Sequence, residues 1–230
     1  MRDFDLGDMA VDRKCRPVDG RFGRRTGYLR GPMTNVAELE QPESPNGKDI
    51  LVPATRDEWR TWLSVNAERP DGLWLVYRNK SSSVDGPLYH ELVEESLCFG
   101  WIDSVTKRVD DDRRIQWFSP RRKGGIWSAL NKERIERLTS QGLMAERGQR
   151  LIDEAIADGS WSQYDDVDAL VVHEDLGVAL DGAPVARDAW ETLSPSTRKQ
   201  YLWQVYSARR DETRASRIAS LIEELSSGAG

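Results

Sequence analysis

From residue 51 onward the apolar positions follow two alternating periods. In PATRDEWRTWLSVN, Trp59, Trp62, Leu63 and Asn66 fall on one face of a 3.6-residue repeat, and Thr55 followed three residues later by Glu58 has the form of a capping box, which predicts a helix of about 11 residues. Gly72 then opens GLWLVYRNK, where Leu73, Leu75 and Tyr77 alternate with Trp74, Val76 and Arg78; apolar bulk on both faces predicts an interior strand. After an SSSVDGP turn, Tyr89, Leu92, Val93, Ser96 and Leu97 recur at helical spacing as far as Gly100, a favoured stop residue. SVTKRVDDDRRIQWFS reads as two strands around a DDD turn. Helix, strand, helix and hairpin make an α+β domain over residues 51–127, built on a small antiparallel sheet.

The pattern changes at Ser128, which can cap a helix carrying Leu130, Arg134, Ile135 and Leu138 and ending near Gly142. Leu151, Ile152, Ala155 and Ile156 mark another, stopped at Gly159. An irregular SWSQYDDVDA segment follows, then short helices over His173 to Leu180 and Val185 to Leu193. Ser194 with Pro195 is a strong helix start, with Tyr201, Leu202, Val205 and Tyr206 as its apolar face. Thr213, Ile218, Leu221, Ile222 and Leu225 belong to a last helix. Residues 128–230 are thus a helical domain without internal repeats. Residues 1–50, rich in Gly, Pro, Arg and Asp and without sustained periodicity, read as a disordered extension, with Met33 as the natural start if the extension is spurious.

Composition narrows the function classes. No apolar run approaches the roughly 18 residues of a membrane span, and no secretory signal is evident, so the expected location is the cytoplasm. A net charge of −6 and a pI near 5.2 argue against nucleic acid, whose general affinity comes from neutralised phosphates. Two cysteines, Cys15 and Cys98, are too few for a disulfide framework, and two histidines without cysteines at ligand spacing give no metal motif. No cofactor is expected. Nine tryptophans exceed what packing requires, so some are expected to line a pocket or contact face.

Three runs carry a family resemblance: LYHELVEESLCFGWIDS, FSPRRKGGIWSALNKERIERLTSQGLM and WETLSPSTRKQYLWQVYSARRDETRASRI. Together, over roughly residues 55–228, they resemble the YdeI/OmpD-associated, or bacteriocin-protection, family. The resemblance implies protection against antimicrobial peptides or a link to an outer-membrane porin, and the first half is similar to the YjbR/CyaY-like α+β fold. The chain departs from the family pattern at Gly125, where a serine is usual, and at Leu88 and Ala145, where the usual helix caps are missing.

Three places can carry chemistry. Cys98 is either a nucleophile or a buried thiol, and its position near a helix C-terminus disfavours the thiolate. Asp103, just past the Gly100 stop, is either a general base or ligand anchor, or the partner of Arg121 or Arg122. In SPRRKGGIW, Arg121 and Arg122 precede a Gly-Gly pair that lets a backbone approach a ligand, and Trp127 and Ser128 open a helix whose N-terminal amides favour an anion. The other reading of that loop is a solvated basic turn. Asn131 and Arg134 share a face of the same helix, and Trp101, Tyr77 and Lys80 are candidate pocket walls.

The resulting expectation is a cytosolic protein that binds a small anionic or amphipathic ligand between the two domains. Arg121, Arg122, Trp127, Ser128, Asn131 and Arg134 would hold it, with Trp101 and Asp103 as wall and orienting group. The resemblance adds a protective role through sequestration. One alternative is an enzyme on a small carboxylate or phosphate, with Asp103 as general base, Arg122 as electrostatic stabiliser and Cys98 as nucleophile. Another is a partner-binding module that uses the stripe of Arg210, Arg214 and Arg217.

Overall fold

The computed structural model describes residues 34–228. A four-stranded sheet has β1 (Ile50–Leu51), β2 (Leu73–Arg78), β3 (Trp101–Arg108) and β4 (Arg113–Pro120) in the order β1-β2-β4-β3. The hairpin β3–β4 and the β2–β4 pair are antiparallel, but β1 lies parallel to β2, so the sheet is mixed rather than purely antiparallel. The α+β class stands. β3 carries one extra residue between Asp103 and Thr106, a bulge opposite Trp117.

The interior position read for β2 is observed, because its two faces feed different cores. Leu73, Leu75 and Tyr77 pack under the helices, whereas Trp74 and Val76 face Val36, Ile50 and Val52 on the opposite side. That second layer explains why order reaches back before residue 51, into the segment expected to be disordered. Val36 is wholly buried, its N–H is bonded to the Asp85 carbonyl at 2.8 Å, and Asn35 caps the single turn Val36–Glu38. The rest of the expected extension, including Cys15, lies outside the described residues.

The helix face of the sheet is covered by α1 (Arg56–Asn66), α2 (Tyr89–Cys98), α3 (Ala129–Ser140) and α4 (Glu146–Asp158). Thr55 caps α1 as expected, accepting from the Glu58 N–H at 3.2 Å, while the Glu58 carboxylate takes the Ala54 N–H rather than that of the cap residue. Every residue of α2 from Leu92 to Cys98 is buried, including two adjacent carboxylates. Glu95 accepts from Arg56 and Arg60, each at 2.5 Å, and Glu94 from Arg56 at 3.1 Å and Arg137 at 2.5 Å. This five-membered ion cluster joins α1, α2 and α3.

The core under the sheet includes Ile135, Leu138, Ile152 and Ala155, so α3 and α4 pack with the sheet and the cores do not separate at residue 127. A second core begins at Val167. It is built from α5 (Asp165–Asp168), α6 (Glu174–Asp181), α7 (Pro184–Thr192), α8 (Pro195–Tyr206) and α9 (Asp211–Ser226) around Leu176, Leu180, Trp190, Leu202 and Leu221. α5 falls in the segment read as irregular. No helix among the described residues is long and apolar enough to cross a membrane.

Candidate functional site

The CFGWIDS and SPRRKGGIW segments meet, but through the backbone. Gly100 turns the chain from α2 into β3 at φ 71°, and its carbonyl accepts from the Arg121 N–H at 2.9 Å. The last carbonyls of α2 find partners in α4: the Arg147 guanidinium donates to Phe99 and Gly100 (2.6 and 3.0 Å), and the Ala145 N–H to Cys98 (3.0 Å). Gly148 is required here, because a Cβ would stand 2.1 Å from the Cys98 carbonyl. The corner is closed tightly, and it fixes where Arg121 leaves the sheet.

Arg121 then turns inward. Gly124 at φ 70° and a bond from the Gly125 N–H to the Arg122 carbonyl (3.2 Å) fold the RRKGG loop back on itself. The guanidinium lies flat on Trp127, 3.6 Å from the ring centroid, and its Nη1 donates to the Ile126 carbonyl at 3.0 Å. The residue is only 8% exposed, yet Nε and Nη2 have no hydrogen-bond partner among the described residues. Burial brings its pKa down to about 10, with the Asp103 charge acting in the opposite sense, so Arg121 remains a cation at neutral pH.

Arg121 borders a cavity of about 10 Å³, roughly the room needed by one water-sized group. Its other walls include Arg122, Lys123, Trp127, Leu151 and the end of α4 with Glu154 and Asp158. Ser160, also buried, has a hydroxyl without a partner there. Nε and Nη2 form the side edge of the guanidinium, the pair that presents two parallel N–H groups to a carboxylate. A buried cation without a counter-charge costs several kcal/mol, and an anionic group entering beside Nε and Nη2 would offset that cost. The cavity has room for about one water-sized group, and two of its lining residues, Arg122 and Lys123, are exposed.

The remaining candidates lie elsewhere. Asp103 is not among the residues lining this cavity and makes no ion pair with Arg121 or Arg122. Its Oδ2 accepts from the Tyr89 hydroxyl at 2.6 Å and from Gln116 Nε2 at 2.9 Å, and burial together with that bond raises the Tyr89 pKa. Trp101 is a core residue rather than a pocket wall: wholly buried, it packs edge-on to Trp59 and Trp62, and its indole N–H reaches the Ala67 carbonyl. Cys98 is equally buried, and desolvation beside Glu95 pushes its thiol up to about 11. That is the chemistry of a packed thiol. Tyr77 belongs to the core, and Lys80 borders a separate shallow depression.

The N-terminus of α3 is not free for an anion. Ser128 caps it, accepting from the Asn131 N–H, and the Asp168 carboxylate takes the Ala129 N–H while also binding Lys199 at 2.6 Å. The chain thus supplies its own anion at that helix end. Asn131 and Arg134 share a face as read, and bond to one another at 2.9 Å. Of the expected arginine stripe, Arg210 precedes α9 as its exposed N-cap residue, Arg214 holds Asp175 through two bonds (2.5 and 2.9 Å) and lies over Tyr206, and Arg217 donates to the Gln204 carbonyl and Ser207. Glu94, Glu95 and Ser160 escaped the sequence reading. The paired carboxylates in an otherwise apolar helix were the available signal; Ser160 had none.

Among the described residues no group of three or more metal-ligating side chains is placed to hold an ion. Residues 51–151 match a family model described as a domain of unknown function, and residues 169–228 match one described as bacteriocin-protection, YdeI or OmpD-associated. The first two runs behind the sequence resemblance therefore lie in the former segment and the third in the latter. No curated protein and no solved structure matches the chain.

Proposed function

We propose, for a chain whose residues 169–228 form a segment of the bacteriocin-protection, YdeI or OmpD-associated family, that it is a cytoplasmic binding protein for a small carboxylate-bearing ligand, acting in protection by sequestration. The observation that carries this reading is the side edge of Arg121, buried, cationic and unpartnered, on a residue that borders a cavity with room for about one water-sized group. A carboxylate oxygen would enter beside Nε and Nη2 while Arg122 and Lys123 draw the charge to the mouth. Glu154 and Asp158 also line the cavity and oppose highly charged anions, which favours a singly charged group over phosphate. The cavity lies outside residues 169–228, the segment that matches the bacteriocin-protection model, so the local geometry rather than that family label supports the ligand class.

The test is thermal stability and Trp fluorescence of the full chain titrated with formate, acetate and phosphate at constant ionic strength. Acetate and formate are expected to raise Tm by linkage and to perturb the emission of Trp127, phosphate less so. Arg121→Met should abolish the carboxylate response, and Arg122→Ala should weaken it. A wild-type Tm that responds to none of the three anions, or a response that survives Arg121→Met, removes the proposal.

A further inference from the structure

The helical core leaves one large groove open, about 820 Å³ in volume, between α6 and α9. One wall is a continuous helical stripe, Asp175, Val178 and Ala179, running into Gly182 and Ala183; the other is Asp211, Ala215, Ile218, Ala219, Ile222 and Glu223. Both follow the spacing of neighbours on a helix surface. Val178 is 65% exposed at the lip, so apolar surface faces water along the groove. From Asp211 to Glu223 the wall rises about 18 Å, room for roughly three turns of another helix.

Charge selects the occupant. Arg214 at the rim is neutralised by Asp175. Asp211, whose charge also acts on Arg214, and Glu223 stand at opposite ends of the α9 wall, and neither forms an ion pair among the described residues. The framing helices α6 and α9 carry seven carboxylates against two arginines, with Arg210 at the N-cap of α9. An apolar trough with a carboxylate outside any ion pair at each end is complementary to a helix with an apolar stripe flanked by cations. We infer that this groove is a docking surface for a basic amphipathic helix from a partner, seated between α6 and α9 with its cations at Asp211 and Glu223. The observation is independent of the Arg121 cavity.

Fluorescence anisotropy on the full chain tests it, using a labelled amphipathic helical peptide of about 14 residues, Leu on one face and Lys on the other, against a counterpart with Glu for Lys. The Lys peptide should bind and the Glu peptide should not. Ala219→Trp, which fills the groove, and the double variant Asp211→Asn with Glu223→Gln should each weaken binding about tenfold or more, with native circular dichroism. Equal binding of both peptides, no binding of the Lys peptide, or binding indifferent to both groove variants overturns the inference. A dimer by light scattering that Ala219→Trp returns to monomer also overturns it, since a second copy would then fill the groove.

Discussion

Replacing Arg121 by methionine should make the ligand-free protein more stable. Burial displaces the guanidinium pKa to about 10, and the displacement corresponds to about 3 kcal/mol of cost carried by the folded state at neutral pH. Against that gain stand two losses. The bond to the Ile126 carbonyl at 3.0 Å contributes about 1–2 kcal/mol. The stacking on Trp127 at 3.6 Å contributes about 1 kcal/mol, part of which a methionine sulfur recovers on the same ring. The balance is a stabilisation of about 1 kcal/mol, or a Tm rise of about 2–4 °C for a domain of this size. Urea unfolding followed by circular dichroism, in buffer free of carboxylates and phosphate at pH 7, measures it. The sign of the pH dependence follows from the lowered pKa: the folded state releases the Arg121 proton first, so wild type gains on the variant as pH rises through about 10, and the gap closes. A variant less stable than wild type by more than about 1 kcal/mol would refute the reasoning, because Arg121 would then be a satisfied structural group.

Two further outcomes follow from the same corner of the fold. Ala145 starts α4 with extended φ and ψ but no side-chain cap, so Ala145→Ser should add about 1 kcal/mol by accepting from the Gly148 N–H, measurable as a shift in urea midpoint; no shift would mean that the hydroxyl cannot reach. Cys98, buried and with its thiol pushed up to about 11, should resist thiol reagents at pH 7–8 until the chain unfolds; rapid labelling of native protein contradicts that.

Periodicity located the long elements well, because each buries a regular stripe: the helix at Trp59, Trp62 and Leu63, the two-faced strand at Leu73–Arg78 and the cap at Ser128 all stand where spacing placed them. β1 was invisible because two residues show no period, and the order of residues 34–50 rests on Val36 plugging the far side of the sheet, a long-range contact. The site was partly legible. Arg121 and Trp127 share a short loop, whereas Ser160 and Glu154 reach the same cavity only through the packing of α4. Trp101 and Asp103 misled for a physical reason. Strand alternation puts both on one face of β3, but the bulge and the Tyr89 and Gln116 bonds hold Asp103 away from the arginines.

The cluster around Glu94 and Glu95 settles something that apolar packing leaves open. With seven consecutive buried positions, the hydrophobic effect alone would allow α2 several rotations about its axis beneath the sheet. Any rotation but one strands at least one carboxylate in apolar surroundings, away from Arg56, Arg60 and Arg137. The charges therefore act as a key for azimuth. Because Gly100 ends that same helix, they also determine the direction in which the chain enters β3 and, one strand later, where Arg121 is aimed.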